Sequence, residues 1–448
     1  MKNFFVGLKD FFKKQIVFVV AILLAVISTI IFKPSGKEIL GAIDFRSLSI
    51  LFSLMAVVQA FSLNGAFTFL SLKIISGVKK SWLLIFDLVC ICFFFSMFIT
   101  NDVALITFVP LTISLLQSAG LSSLILITIV LQTLAANLGS MLTPVGNPQN
   151  LYLFNLMKCD VWSFIKIMLP YSCASFLLLI ICIFFVKGFL ERRRCGALTG
   201  EVVVSGRGGA LTGEALLSKT GVALTGEAQL SKTGSALTGE ALFSKTAPAF
   251  PKETPLSKTT VLSPKETTQS QTAAPFLKVK LILFSLLALI SLLTVFNFIP
   301  YYVTLPLVLI CIFFAERRAL KKVDYILLLT FVGFFIFTGN LSHSQKISFL
   351  ISSVLQKREI LCGIISSQVI SNVPAAILLS GFTENLKELT VGVNLGGLGT
   401  LIASMASLIS FKFYAGLENS NGAKYILIFS ILNILFLGIL YGMTFFFF

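Results

Sequence analysis

The chain has 448 residues, of which 56% are hydrophobic and only 12% charged, with 45 phenylalanines. A soluble protein of this length needs more charged surface, so the composition excludes an ordinary soluble fold and predicts an all-α polytopic membrane protein. The net charge of +16 arises from Lys and Arg in loops beside apolar spans, where they set orientation. We therefore expect a lipid bilayer around the protein and no nucleic-acid partner.

The first apolar run, at 16–32, follows Lys9, Lys13 and Lys14. No small-residue cleavage site comes after it, so we interpret it as an uncleaved first span with the N-terminus in the cytoplasm. The eight cysteines lie scattered, mostly in apolar segments. They form neither a disulfide nor a zinc pattern, and we expect no metal centre and no cofactor beyond a coupling ion.

The next apolar segments predict a span at 47–70, a re-entrant hairpin at 82–118 that turns at Asn101, and crossings at 121–157 and 163–188. Together with the first span they form a first transmembrane repeat, residues 1–194.

A polar segment at 195–276 interrupts this pattern. ALTGE begins at 197, 210, 223 and 236, a period of 13 residues, and a tract rich in Pro, Ser, Thr and Lys follows. This period is too short for common solenoid units, and the segment has no apolar core. We predict a disordered, repetitive cytoplasmic linker.

The remaining residues, 277–448, predict a linking span at 278–297, a span at 301–315 and a second hairpin at 349–384. The segments resemble those of the first half in the same order: FITNDVA (98–104) matches VISNVPA (369–375), and ANLGSMLT (136–143) matches VNLGGLGT (393–400). The loop charges give the two halves opposite orientations. The chain is therefore predicted to be two inverted repeats with re-entrant hairpins and broken helices, about nine spans plus two hairpins.

The hairpin tips are the first candidate site. A tip at mid-membrane depth leaves backbone groups unpaired, so it must face protein or a water-filled cavity. The first tip reads Thr100-Asn101-Asp102 and the second Ser371-Asn372. These small polar side chains can bond the turn and coordinate a solute or an ion.

Glycine-rich interruptions of the following spans are the second candidate site. They predict unwound helices, which expose half-helix N-termini, each roughly +0.5 charge, and free carbonyl groups. The candidate residues there are Asn137, Gly139, Thr143, Gly146, Asn147 and Asn150 in the first half, and Asn394, Gly396, Gly397 and Thr400 in the second. Sodium is predicted at Asn101, Asp102, Asn137 and Gly139. A single polar patch of this kind is commonly a helix contact, but its repetition in both halves favours a site.

Paired polar tips followed by broken helices resemble the ion transporter superfamily. TNDVALITFVP and ANLGSMLTPVGNPQNLYLF are especially similar to its citrate-transporter-like anion permeases, which are related to divalent-anion/sodium symporters and arsenite permeases. The resemblance covers about 40–190 and 300–445 and implies an elevator-type transporter and a homodimer. In the symporters each tip is Ser-Asn-Thr; here Asp102 and Val373 depart from the third position. A carboxylate at Asp102 argues against a dicarboxylate substrate, and the Asn-Asp pair resembles the arsenite permeases more.

These observations predict a secondary active permease of the plasma (inner) membrane for a small anionic or metalloid solute, coupled to sodium or protons. The alternative is arsenite efflux or sodium/proton antiport. A membrane-embedded hydrolase would need a nucleophile with a base, and the single histidine, His343, lies outside the polar motifs. A passive channel would instead give current without coupling. We predict that the protein is not an enzyme.

Overall fold

The computed structural model describes residues 15–67, 69, 80–199, 274–418 and 420–447, and its regular elements within these ranges are helices. The first half contains α1 (Ile16–Phe32), α2 (Gly36–Ala42), α3 (Phe45–Leu63), α4 (Ser81–Ile99), α5 (Asn101–Ser118), a short 3₁₀ turn (Ser122–Leu124), α6 (Ile125–Ser140), α7 (Pro148–Met157) and α8 (Val161–Thr199). The second contains α9 (Ala274–Val295), α10 (Tyr301–Lys321), α11 (Tyr325–Ser342), α12 (Gln345–Leu355), α13 (Glu359–Ile370), α14 (Asn372–Ser380), α15 (Leu386–Leu395), α16 (Met405–Ala415) and α17 (Gly422–Phe447).

Seven segments of the described chain are long and apolar enough to cross a membrane, which confirms the predicted all-α polytopic class. They are α3, α4, α5, the 3₁₀ turn with α6, α8, α11 and α17. Shorter apolar helices include α1, α9, α12 and α13. Contacts divide the chain into one unit of residues 1–184 and 255–448 and a second unit of 185–254.

The linker prediction falls almost wholly outside the described residues. Of the second unit, only 185–199 are described, as the end of α8. This helix continues through Thr199, four residues beyond the predicted start of the linker, and α9 begins at Ala274, two residues before its predicted end. The lysines before the first span, at 9, 13 and 14, also lie outside the described part.

The helices α3 and α11 begin with the same cap. The Asp44 carboxylate accepts the Ser47 N–H at 3.0 Å at the start of α3, and Asp324 accepts the Leu327 N–H at 2.9 Å at the start of α11. A side chain that accepts from the third helical residue satisfies one of the free N–H groups of the first turn. The matching caps place α3 and α11 at equivalent positions in the duplication.

The halves exchange helices. The first helix of the chain, α1, packs on α11, and its later counterpart α10 packs on α3. Likewise α7 packs on α14 and α15, whereas α16 packs on α5 and α6. Each half therefore completes its packing with elements of the other, as two copies related by a pseudo-two-fold axis do.

Small residues contribute to the contact of α3 with α9 and α10. Ala56 and Ala60 of α3 are fully buried in a core that also contains Phe284 of α9 and Ile312 of α10. Small side chains at helix contacts bring backbones close and favour packing inside a membrane.

The second hairpin differs from its predicted extent of 349–384. Residues up to Leu355 belong to the separate helix α12, and Lys357, with a φ of 62°, turns the chain into α13. The hairpin consists of α13 and α14, with 12 and 9 residues. The limbs of the first hairpin, α4 and α5, have 19 and 18 residues, so each is about 27–29 Å long.

Candidate functional site

Each hairpin turns at one residue with a positive φ. Thr100 has φ 70° and ψ 149°, and its equivalent Ser371 has φ 73° and ψ 156°. Residues other than glycine rarely adopt this backbone region, which costs of order 1–3 kcal/mol unless surrounding contacts impose it. The first turn thus lies at Thr100, one residue before the predicted Asn101, which begins α5.

The same backbone hydrogen bond holds both turns in place. The Asn101 N–H donates to the Gly146 carbonyl at 3.1 Å, and the Asn372 N–H donates to the Ala403 carbonyl at 3.0 Å. Ser371 Oγ donates to that second carbonyl as well, at 3.3 Å. Each tip is therefore anchored to the helix break of its own half, which brings the two predicted motif groups together.

The first helix break lies between α6 and α7. The Asn147 side chain caps α7 by accepting the Asn150 N–H at 2.9 Å. Asn150 Nδ2 donates to the carbonyls of Met141 and Thr143, at 3.0 and 3.1 Å. One fully buried amide thus pairs backbone groups that an unwound helix leaves free.

The second break, between α15 and α16, is stabilised from the hairpin. Gln368 Nε2 of α13 donates to the carbonyls of Gly396 and Leu398, both at 2.8 Å, and its Oε1 accepts the Thr400 N–H at 2.9 Å. Sequence reasoning missed Gln368. Its amide lies inside an apolar segment, and only the folded hairpin brings it beside the break.

Asn137, near the end of α6, joins three segments. Its Oδ1 accepts from Asn101 Nδ2 at 3.1 Å and from Ser404 Oγ at 3.0 Å. Its Nδ2 donates to Ser407 Oγ at 3.2 Å. The amide of the first half thereby binds the N-cap and the third residue of α16 in the second half.

Asn394, the equivalent residue of α15, makes the reciprocal set. Its Oδ1 accepts from Asn147 Nδ2 at 3.1 Å, and its Nδ2 donates to Asn150 Oδ1 at 2.6 Å and to the Thr390 carbonyl at 2.8 Å. The bonds run in the same direction in both halves. We call these two sets of bonds, centred on Asn137 and Asn394, the reciprocal asparagine network.

Ser404 and Ser407 were not among the predicted site residues. The repeat contained the signal for them: the spacing that aligns Asn137 with Asn394 also aligns Asn147 with Ser404 and Asn150 with Ser407. Both serines are buried, as are all the predicted asparagines.

The predicted glycines permit close backbone approach. A Cβ at Gly139 would lie 2.1 Å from the Phe93 carbonyl oxygen of α4, and one at Gly146 would lie 2.1 Å from the Ser140 carbonyl oxygen. Gly396 and Gly397 are similarly confined, by Ser367 and by Asn372 respectively.

The two predicted threonines lie to one side of the network. Thr143 Oγ1 donates to the Met97 carbonyl of α4, and Thr400, which is exposed, bonds Gln368. They bond each break to the hairpin of its own half and do not bond the asparagines of the network.

Asp102 is the carboxylate of the first tip, and it is half-buried. Its N–H donates to Asn101 Oδ1 at 3.0 Å, but its own Oδ1 is buried without a hydrogen-bond partner. A buried polar atom without a partner requires a specific explanation, such as a bound ion or a functional proton. The equivalent residue of the second tip is the buried Val373.

The four predicted sodium ligands differ in availability. Asn137 Oδ1 already accepts two hydrogen bonds, and the Gly139 carbonyl accepts the Leu142 N–H at 3.2 Å. Asp102 Oδ1 has no donor. In the described part of the chain, no three His, Cys, Asp or Glu side chains group closely enough to hold a metal ion. A cation here would therefore depend on one carboxylate with amide and carbonyl oxygens.

The sequence that forms these tips and breaks matches a known family. The family model described as citrate transporter matches residues 12–407. The chain belongs to the citrate transporter family. The match spans both halves and confirms the resemblance predicted from the tip and break motifs.

Relatives agree with this assignment. An uncharacterized transporter of Methanocaldococcus jannaschii is 26% identical over 404 residues, covering 90% of each chain. Inner membrane protein YbiR of Escherichia coli is 28% identical over 376 residues, covering 83% of this chain and 80% of its own. The mouse P protein is 28% identical over 131 residues, 29% of this chain and 16% of its own. The protein is thus an integral membrane transporter.

Proposed function

We propose that the protein is a secondary active permease for a small anion or oxyanion, coupled to sodium or protons, in the plasma (inner) membrane. The observation that carries this proposal is the reciprocal asparagine network, which joins the first tip to both breaks, with the unpartnered Asp102 Oδ1 beside it. Such a buried polar cluster at the junction of two repeats is where secondary transporters hold their substrates.

Helix N-termini would bind the anion. Within the described residues, the buried polar side chains include no Lys, Arg or His. The positive partial charges available there are the N-termini of α5, α14, α7 and α16, each roughly half an elementary charge, and the amide N–H groups. This weak, distributed positive field suits a small solute of low charge better than a multiply charged solute.

Asp102 would couple the anion to a cation. Two negative charges 4 Å apart repel by about 4 kcal/mol at an effective dielectric constant of about 20. An anion near the first tip therefore binds well only when Asp102 carries a proton or pairs with sodium. Because linkage is reciprocal, the bound anion raises the affinity for the cation by the same factor. This mutual dependence is what coupled transport requires.

Alternating access would be of the elevator type. The network bonds, together with the backbone bond from each tip to the break of its own half, connect the hairpins and the broken helices, which favours their movement as one body. Against α3 and α11 the same elements make few polar contacts in the described residues. One is the bond from Asn155 Nδ2 to Ser47 Oγ at 3.0 Å, and beside it the Tyr152 ring packs on Phe335. We further propose a cytoplasmic N-terminus and linker, and a homodimer.

A second candidate is arsenite efflux or sodium/proton antiport, and Asp102 is the observation that favours it. Arsenite is an uncharged oxyacid at neutral pH, so it would avoid the repulsion described above. Citrate, suggested by the family's description, carries several carboxylates and would meet that repulsion fully. Measuring uptake of citrate, monovalent oxyanions and arsenite under the same gradients separates these candidates.

The test is accumulation in proteoliposomes under sodium and pH gradients, with and without Asp102→Asn. The amide preserves the side chain's shape and removes its charge, so we expect gradient-driven accumulation to fall to the level of empty vesicles. Exchange of solute without a gradient should persist. The matched control is Asp160→Asn, because Asp160 is a carboxylate in a loop that caps α8 through the Ser163 N–H at 2.9 Å, a cap that asparagine also supplies.

Unchanged accumulation in a well-expressed Asp102→Asn protein would refute the coupling role. Solute flux that neither saturates nor responds to either gradient would refute the permease and indicate a passive channel.

A further inference from the structure

The end of α10 combines an apolar shaft with a fixed group of cations. Ile310, Phe313 and Phe314 of the shaft are 57, 56 and 82% exposed, as expected for side chains in contact with acyl chains. At Glu316, φ and ψ become −155° and 66°, and the helix is interrupted. The segment after this interruption carries Arg317, Arg318 and Lys321, with Lys322 directly after the helix, and all four are exposed.

Packing fixes the direction in which these cations point. Ala319 is fully buried and Val323 is 5% exposed, and both belong to the core formed with α3 and α9. The Tyr325 hydroxyl donates to the Leu320 carbonyl at 2.9 Å. The four cations therefore lie on a segment that is packed against the protein, and their side chains point away from the protein core.

Neighbouring acids offset little of this charge. The Glu316 carboxylate pairs with Lys280 Nζ at 3.3 Å. Asp324 is exposed and accepts the Leu327 N–H as the cap of α11. With Glu316 neutralised by Lys280, four cations and one carboxylate leave a net charge of +3 at this surface.

We propose that this surface, Arg317, Arg318, Lys321 and Lys322 together with the shaft of Ile310, Phe313 and Phe314, binds an anionic phospholipid. The phosphate would lie against the arginines, whose planar guanidinium groups suit phosphate oxygens. The acyl chains would follow the exposed aromatic side chains about one turn away. The cations and the adjoining apolar shaft together fit a lipid, because a lipid has both an anionic headgroup and acyl chains. Free phosphate would contact the cations alone.

The competing explanation is that these cations act only during insertion, by orienting the chain with positive residues inside. That role ends once the protein has folded, and it gives the folded protein no preference among lipids. Lipid selectivity of the purified protein therefore separates the two explanations.

The experiment measures thermal stability and native mass spectra of the purified full chain with dioctanoyl-phosphatidylglycerol, dioctanoyl-phosphatidylcholine or inorganic phosphate. The test variant replaces the four cations: Arg317→Gln, Arg318→Gln, Lys321→Gln and Lys322→Gln. The matched control removes four exposed cations elsewhere: Lys346→Gln, Lys357→Gln, Arg358→Gln and Lys387→Gln.

We expect phosphatidylglycerol to stabilise the wild type and the control more than phosphatidylcholine does. The test variant should lose about fivefold in affinity for each charge removed, which corresponds to about 1 kcal/mol per cation. The double variant Phe313→Ala, Phe314→Ala should weaken the binding of phosphatidylglycerol and leave any stabilisation by phosphate unchanged.

Equal shifts with both lipids, or equal losses in the test and control variants, would overturn the proposal. A phosphate effect as large as that of phosphatidylglycerol would show an ion site rather than a lipid site, and would overturn it too. If the test variant does not fold, wild-type salt dependence decides: raising salt from 0.1 to 1 M shortens the screening length from about 10 to about 3 Å. Binding that is insensitive to this change contradicts the charge-based site.

Discussion

Removing the Asn394 amide should destabilise the protein more than removing the equivalent Asn137 amide. Asn394→Ala leaves Asn150 Oδ1 without the partner at 2.6 Å, and Asn147 Nδ2 keeps only a 3.4 Å contact with Ser140 Oγ. Asn150 is fully buried and Asn147 is 2% exposed. At about 1–3 kcal/mol for each buried group left unpaired, we expect a loss of about 2–5 kcal/mol.

Asn137→Ala should cost less because of what it leaves behind. Its partners are Asn101 Nδ2 at 3.1 Å and the hydroxyls of Ser404 and Ser407. A hydroxyl can rotate toward another acceptor, so Asn101 Nδ2 is the one buried amide group left unpaired. Asn394→Ala instead affects both Asn150 Oδ1 and Asn147 Nδ2. We therefore expect about half the loss found for Asn394→Ala.

Reversible unfolding of the purified protein, followed by denaturant titration in mixed micelles, measures both values. A double-mutant cycle with Asn394→Ala and Asn147→Ala isolates their mutual bond from the helix cap that Asn147 also provides. Such couplings inside membrane proteins average about 0.6 kcal/mol and reach about 1.7. A coupling near zero, or a greater loss for Asn137→Ala, would refute the reciprocal network as a source of stability.

Gly139→Ala should prevent correct folding, because its Cβ would lie 2.1 Å from a carbonyl oxygen of α4. The control Gly438→Ala, whose Cβ would have nothing within 4 Å, should fold normally. The yield of monodisperse protein distinguishes the two variants. A cysteine at Ser122 should react with impermeant reagents from the cytoplasm and one at Asn385 from outside, in a background without native cysteines, and reaction of both from one side would contradict the inverted repeat. Deleting 197–272 should leave insertion and transport largely intact, and complete loss of inserted, active protein would contradict its assignment as a linker.

Local signals in the sequence were sufficient to predict where the hairpin tips and helix breaks lie. Thr100 and Ser371 follow apolar runs, and a polar residue at such a point has few explanations in a membrane protein. The glycine-rich interruptions were predicted to unwind their spans, and the breaks begin at Met141 and Gly396, whereas Gly139 itself lies within α6 and permits close approach to α4. For these positions the duplication supplied a second, independent copy of each signal.

Other features depended on tertiary contacts that periodicity does not contain. The boundary between α12 and α13 was missed because both are apolar and short, and the separating turn at Lys357 has no glycine or proline. Gln368 was missed because it bonds a segment that is distant along the chain. Ser404 and Ser407 were missed because the repeat was not extended past Thr400, although its spacing aligns them with Asn147 and Asn150. The packing of helices from one half on helices of the other depends on the whole fold, and no single segment of the sequence encodes it.

The exchange of helices has a consequence for the origin of the chain. One copy of the repeat by itself would bury an asparagine whose partners belong to the other copy, and an unpaired amide in a membrane interior is costly. The smallest assembly of single copies that pairs both amides is a dimer, and with the halves inverted as the loop charges predict, its two chains would lie in opposite orientations. A gene for half of this protein would therefore encode a dual-topology subunit, inserted both ways in the same membrane. Fusion of two such genes through a long linker, followed by loss of strict equivalence at Asp102 and Val373, would give each half a fixed orientation and a separate task.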